Sequence, residues 1–128
     1  MTERINVGSP VGPYSSGIKG GGCVYVSGQG PIDVNNPGPP PDNIKDQTTI
    51  VLNNIKAIVE AAGSNVSKIV KTTVFLSDIK NFSKMNMAYK KFFKENGVTE
   101  NFPARTTVQA AALPVENMLV EIDAIALL

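Results

Sequence analysis

The sequence predicts an α+β domain whose mixed β-sheet carries two helices on one face. Apolar residues recur at helical spacing in two segments, and short β-branched or alternating segments lie before, between and after them. The resulting order is strands, helix, strand, helix, strands. With 128 residues, of which 42% are hydrophobic, the chain can build one core but not two, so residues 1–128 are expected to form a single domain.

The N-terminal segment is predicted to be extended. Residues 4–7 and 17–27 have the composition of strands, and the glycines and prolines between them are typical of turns. The run Gly20-Gly21-Gly22 predicts a hairpin or bulge that leads into a strand over residues 23–27. Because these glycines precede a strand and no Gly-Lys-Ser/Thr follows them, they do not match a phosphate-binding loop.

The strongest helical pattern follows a proline-rich loop at residues 36–42. Gly63 lies directly after it, where a left-handed C-cap belongs. The apolar positions of this first helix are Ile44, Val51, Ile55, Ile58, Val59 and Ala62. After the helix, the β-branched residues 69–76 predict a strand.

A second helix is predicted from about residue 81 to residue 96, and Gly97 ends it. Its apolar stripe contains Phe82, Met85, Tyr89, Phe92 and Phe93. Two final strands are predicted at about residues 104–111 and 119–127. Both helices are expected to cover the same face of the sheet, so the other face must contact something else.

Composition excludes several kinds of chemistry. The chain has no histidine and one cysteine, which rules out Ser-His-Asp and Cys-His catalysis, histidine bases and a structural zinc site within the chain. The net charge of +1 does not suggest a nucleic-acid or membrane-surface partner. No segment resembles a membrane span or a signal peptide, so we expect a cytoplasmic protein; a mitochondrial location would require that a targeting segment had been removed.

Arg105 is the first candidate for a functional residue. It is one of only two arginines among twelve basic residues, and it lies in the otherwise uncharged segment 101–114. A guanidinium among apolar strand residues needs a partner, which is either a carboxylate of the protein or an anionic ligand. Strand alternation places Arg105, Thr107 and Gln109 on one face.

A hairpin is predicted to pair the last two strands. Its register matches Gln109 with Glu121 and Thr107 with Asp123, and it places Arg105, Glu121 and Asp123 on one face. Arg105 then lies roughly 13 Å along the sheet from Glu121, too far for a direct salt bridge in one chain. Two interpretations stay open: an ion pair of Arg105 with Asp123 or with an acid of a neighbouring subunit, and a site for a small anion.

The run Phe-Pro-Ala-Arg-Thr-Thr-Val-Gln at 102–109, followed by Val-Glu-Ile-Asp-Ala-Ile-Ala at 120–126, resembles the C-terminal signature of the YjgF/YER057c/UK114 family, the RidA-type reactive-intermediate deaminases. The resemblance continues through Gly-Pro-Tyr-Ser at 12–15, Val-Ser-Gly-Gln at 26–29 and two segments at 53–63 and 70–76, so it covers nearly the whole chain.

This resemblance implies a chorismate-mutase-like fold assembled as a homotrimer, with helices outside and ligand clefts between subunits. The implied activity is 2-iminobutanoate/2-iminopropanoate deamination, a form of metabolite damage control. It yields 2-oxo acids and ammonia and uses no metal or organic cofactor.

The resemblance also implies residue roles. Arg105 would hold the substrate carboxylate, and Glu121 would position the attacking water. The cleft would further contain Tyr14, Ser27, Gly28, Asn86, Phe102 and Thr107. Two positions depart from the family pattern: Thr107 stands where many members carry cysteine, and Gly30 stands where a bulkier aliphatic residue is common.

Two other functions remain as alternatives. The first is a binding or regulatory protein that retains small 2-oxo acids without catalysis, which the departures at Gly30 and Thr107 favour. The second is a ribonuclease or translation inhibitor, which the near-neutral charge disfavours. We expect partners to be small 2-imino or 2-oxo acids and further copies of the chain, without nucleic acid or membrane.

Overall fold

The computed structural model describes all 128 residues and contains a six-stranded sheet with two helices. The elements are β1 (Glu3–Ile5), β2 (Gly17–Gly20), β3 (Cys23–Gln29), α1 (Ile44–Ala61), β4 (Ile69–Leu76), α2 (Phe82–Glu95), β5 (Ala104–Gln109) and β6 (Val120–Leu127). Short 3-10 turns precede β4 and α2. The strands lie in the order β1-β2-β3-β6-β4-β5, and only the β4–β5 pair is parallel, so the predicted mixed sheet is confirmed.

Several glycines predicted to lie at turns and helix ends adopt positive φ angles. Gly21 and Gly22 form the β2–β3 turn with φ values of 60° and 79°. Gly63 follows α1 with a φ of 88°, and Gly97 follows α2 with a φ of 85°. Because residues with a side chain rarely adopt these angles, glycine is the residue that allows each chain reversal.

Both helices pack on one face of the sheet, as predicted. Alternate residues of β6 are buried in the shared core, and the residues between them are half-buried on the opposite face. This opposite face carries exposed apolar side chains, including Tyr25, Val108 and Leu127. No helix is both long and apolar enough to cross a membrane.

The predicted hairpin between the last two strands is wrong. β4 lies between β5 and β6, so Gln109 does not pair with Glu121 and Thr107 does not pair with Asp123. The chain from β4 through α2 to β5 is a crossover unit, which makes β4 and β5 parallel neighbours. β6 has four buried core residues and takes a central position, whereas the more polar β5 lies at the edge of the sheet.

Two buried polar side chains of α1 hold the loops at one end of the sheet. Gln47 donates to the carbonyls of Pro41 and Asn117 and accepts from Leu119 N. Asn54 donates to the carbonyls of Gly30 and Ile32 and accepts from Val34 N. Each amide uses both donors and its oxygen as an acceptor, so these contacts fix the loops without leaving an unpaired buried atom.

Candidate functional site

The guanidinium of Arg105 lies on the helix face of the sheet, at the edge strand β5. Its Nη2 donates to Oδ1 of Asn86 at 2.6 Å. The central carbon of the guanidinium lies 4.8 Å from the ring centroid of Tyr89 and 5.6 Å from that of Phe82. The Tyr89 hydroxyl is hydrogen-bonded to Thr72 Oγ1 at 2.7 Å, which fixes the ring. We call Phe82, Asn86 and Tyr89 the arginine cradle.

Arg105 has no acidic partner in the chain. The two side-chain ion pairs join Lys19 with Glu3 and Lys91 with Glu95, and neither involves Arg105. An ion pair of Arg105 with Asp123 within the chain is therefore excluded. The cradle supplies one neutral acceptor and two aromatic faces, which orient the guanidinium but leave its charge unmatched. This arrangement suits a residue that binds an external anion.

The carboxylate of Glu121 lies on the opposite face of the sheet, in contact with Gly28. A Cβ atom at position 28 would lie 2.7 Å from Oε2 of Glu121 and 2.9 Å from its Cδ. Partial burial is the main factor that raises the pKa of Glu121, and the charge of Asp123 raises it further. A carboxylate with a raised pKa takes up a proton more readily near neutral pH.

Glu121 lies at the edge of a cavity of about 510 Å³. Tyr14, Gly28, Gly30 and Met118 also line this cavity. The Tyr14 hydroxyl accepts from Val11 N at 3.4 Å, and the ring is half exposed. None of the residues that line the cavity is a lysine or an arginine. The chain therefore provides an acid and an open pocket there, but no cation.

The remaining three candidates have less direct contacts. Ser27 Oγ donates to the carbonyl of Ser15 at 2.6 Å and so ties the Tyr14 loop to β3. Phe102 packs edge-to-face on Phe93, with 6.2 Å between centroids, and leads into β5. Thr107 alternates with Arg105 and shares its face, as predicted.

The candidate residues thus form two groups on opposite faces of the sheet. One group contains Arg105, Asn86, Phe102 and Thr107, and the other contains Glu121, Gly28, Ser27 and Tyr14. The prediction that Arg105 shares a face with Glu121 and Asp123 is wrong, because the parallel register pairs Arg105 with Thr72 on the core side. β5 and β6 are also two strand spacings apart, roughly 10 Å.

The arginine cradle is not evident as a unit from the sequence pattern. Helical periodicity assigns Phe82 and Tyr89 only to the core stripe of the second helix. They lie four residues before and three residues after Asn86, so the three side chains share one face of α2. This spacing, followed by a strand that contains an arginine, is the pattern from which the cradle could have been predicted.

The chain is similar to known proteins in both sequence and fold. The family described as Endoribonuclease L-PSP matches residues 4–128. A 2-iminobutanoate/2-iminopropanoate deaminase from Salmonella typhimurium is 44% identical over 121 residues, which are 94% of this chain and 91% of that protein. A RutC family protein from Pyrococcus horikoshii is 45% identical over 121 residues, with the same coverage of both chains.

Solved structures agree with this assignment. The Escherichia coli TdcF protein with bound serine superposes with a TM-score of 0.90 at 40% identity, covering 98% of both chains. The YjgF gene product of Escherichia coli superposes with a TM-score of 0.89 at 41% identity, again over 98% of both chains. The chain therefore belongs to the Endoribonuclease L-PSP family, the YjgF/RidA-type family that its motifs resemble.

Proposed function

We propose that this protein is an imine deaminase that hydrolyses 2-iminopropanoate and 2-iminobutanoate to the 2-oxo acids and ammonia. The observation that carries the proposal is the uncompensated guanidinium of Arg105, oriented by Asn86 and two aromatic rings. A 2-imino acid has a carboxylate next to its reactive carbon, so a bidentate grip on that carboxylate also fixes the C=N bond.

We further propose that each active site combines two subunits of a homotrimer. Within one chain Arg105 and Glu121 lie on opposite faces of the sheet, and the cavity beside Glu121 has no cation of its own. A neighbouring chain that covers the open face brings its Arg105 to the rim of this cavity. The exposed apolar residues on that face support such an interface.

The proposed reaction needs only water and a proton carrier. The water oxygen bonds to C2 of the imine, the C=N electron pair moves to nitrogen, and Glu121 passes the proton of the water to that nitrogen. The carbinolamine then loses its hydroxyl proton to Glu121, the C–N bond breaks, and the proton leaves with the nitrogen as ammonia. Glu121 ends in its starting state, and its raised pKa favours this exchange.

Two findings on relatives support the proposal. The Salmonella relative carries the name of this activity, at 44% identity. The TdcF structure holds serine, which like a 2-imino acid is a small molecule with a carboxylate beside a nitrogen-bearing carbon.

A coupled assay tests the proposed activity. A pyridoxal-phosphate-dependent serine dehydratase generates 2-aminoacrylate, which tautomerises to 2-iminopropanoate, and pyruvate formation is followed with and without the pure protein. We expect acceleration by the wild-type protein and none by Arg105→Ala. If the wild-type protein gives no acceleration but calorimetry detects bound pyruvate or 2-oxobutanoate, the protein is a 2-oxo acid binding module and the deaminase proposal is wrong.

A further inference from the structure

The cavity beside Glu121 is larger than the substrates proposed above require. Its volume within one chain is about 510 Å³, inside the range of roughly 300–1,000 Å³ that is usual for pockets that hold drug-sized ligands. A molecule such as 2-iminobutanoate, with about seven non-hydrogen atoms, is much smaller than such a ligand. Besides Glu121, the lining includes Val11, Ile32 and Val115, which lie in three different loops.

Gly30 and Met118 determine how far the cavity extends. A Cβ atom at position 30 would lie 2.8 Å from Cε of Met118 and 3.4 Å from its Sδ. Gly30 does not have a positive φ, so the backbone conformation does not require glycine there. The absent side chain instead leaves room for the Met118 thioether, which is nearly buried and adapts readily to neighbouring groups.

The wall on the Gly30 side is held in place. Asn54 binds the carbonyls of Gly30 and Ile32 and the amide of Val34, and its own side chain is buried. These contacts tie the segment to α1, so this wall of the cavity is fixed before a ligand arrives. A preformed apolar pocket adds affinity for each group that it removes from water.

The chemistry of the cavity favours an apolar group. Val11, Ile32 and Val115 line the cavity as exposed large apolar residues, and Met118 lines it as a buried one. The charged residues that line the cavity are Asp33 and Glu121, both acidic. Asp33 would repel a carboxylate, so the substrate should enter with its carboxylate directed away from Asp33 and its side chain inwards.

We infer that this cavity is a side-chain pocket and that Gly30 and Met118 make the protein selective for 2-imino acids with apolar side chains longer than methyl or ethyl. This inference rests on the proposed deaminase function. Each methylene buried in the pocket raises kcat/KM about fourfold. From a methyl to a butyl side chain, the increase is about sixtyfold.

The test uses a homologous series of imines. A flavin-dependent amino-acid oxidase generates them from alanine, 2-aminobutyrate, norvaline and norleucine, and semicarbazide competes with the protein for each imine. We expect kcat/KM to rise along the series for the wild-type protein. In Gly30→Val the ratio of butyl to methyl substrate should fall at least about tenfold, because the new side chain and the displaced Met118 fill the pocket.

Gly38→Val is the matched control, because nothing lies within 4 Å of a Cβ atom at that position and the residue does not line the cavity. Its substrate ratio should equal that of the wild type. If Gly30→Val does not fold, Met118→Ala provides the opposite readout: it enlarges the pocket and should raise the ratio. Calorimetry should also show that 2-oxohexanoate binds the wild-type protein more tightly than pyruvate does.

The two hypotheses fail in different ways. If no imine of the series is hydrolysed faster with the protein than without it, the proposed function is wrong. If 2-iminopropanoate is hydrolysed but kcat/KM is flat along the series, or if neither pocket variant changes the ratio, the side-chain pocket is wrong and the deaminase function stands.

Discussion

Asn86 Oδ1 accepts a hydrogen bond of 2.6 Å from Nη2 of Arg105, and no carboxylate of the chain pairs with that guanidinium. Arg105 is therefore held by neutral and aromatic groups, which do not neutralise it. A residue kept in this way contributes little to folding and is available to an anionic substrate.

Arg105→Ala should separate activity from stability. Loss of the proposed charged contact to the substrate carboxylate should lower kcat/KM at least about a hundredfold. The free energy of unfolding should change by about 1 kcal/mol, since only the contacts to the arginine cradle are lost. Arg4→Ala, at the other arginine, is the control and should keep wild-type kinetics. Wild-type kinetics in Arg105→Ala would contradict the assignment.

Gly28→Ala should disturb Glu121 without disturbing the fold. The added methyl would lie 2.7 Å from Oε2, so the flexible carboxylate must move away. A displacement of about 1 Å in a reacting group costs about a hundredfold in rate, and kcat should fall by about that factor while the melting temperature stays near that of the wild type. Gly38→Ala adds the same methyl in open space and should keep full activity. Equal kinetics for the two variants would contradict the role of Glu121.

Asp123→Asn should move the acid limb of the pH–rate profile to lower pH. In the proposed reaction Glu121 acts as a carboxylate, so activity should be lost as the pH falls through its pKa. The charge of Asp123 raises that pKa, and removing the charge makes Glu121 easier to ionise. Asparagine keeps the oxygen that accepts from Thr73 N. Glu60→Gln removes an equal charge from an exposed position on α1 and should leave the pH–rate profile unchanged. An unshifted acid limb in Asp123→Asn would contradict the proposed role of Glu121.

Tyr89 should contribute to stability through its hydroxyl and to substrate binding through its ring. Tyr89→Phe leaves Thr72 Oγ1 without its partner and should destabilise the protein by about 1–3 kcal/mol, with KM nearly unchanged. Adding Thr72→Val should recover part of that loss. Tyr89→Leu removes the ring beneath Arg105 and should raise KM about tenfold. Equal KM values in the Phe and Leu variants would show that the ring does not hold Arg105.

Local features of this fold could be predicted from the sequence because each depends on neighbouring residues. Periodicity located both helices, and the glycines after them marked their ends, since Gly63 and Gly97 have the positive φ that other residues avoid. Alternation correctly placed Glu121 and Asp123 on one face of β6, because a strand's period holds wherever the strand lies in the sheet.

Strand order was not predictable by the same means. Adjacency in sequence favoured a hairpin between the last two strands. The helix before β5 instead makes β4 the parallel partner of β5. β6, whose core face is continuous, takes the central position next to β4. The error mattered for the site, because it placed Arg105 on the face of Glu121. Alternation shows which residues of one strand share a face. If the neighbouring strand is wrong, those residues are placed on the wrong side relative to the residues of another strand.

The proposal that two subunits share each site is tested most directly by mixing two inactive variants, Arg105→Ala and Glu121→Gln. In a trimer containing both, one interface joins an intact Arg105 to an intact Glu121. Random mixing of equal amounts should therefore restore about a quarter of the wild-type activity, while each variant alone stays inactive. Mass spectrometry verifies the mixed trimers. Mixed trimers as inactive as their parents would contradict a site shared between subunits.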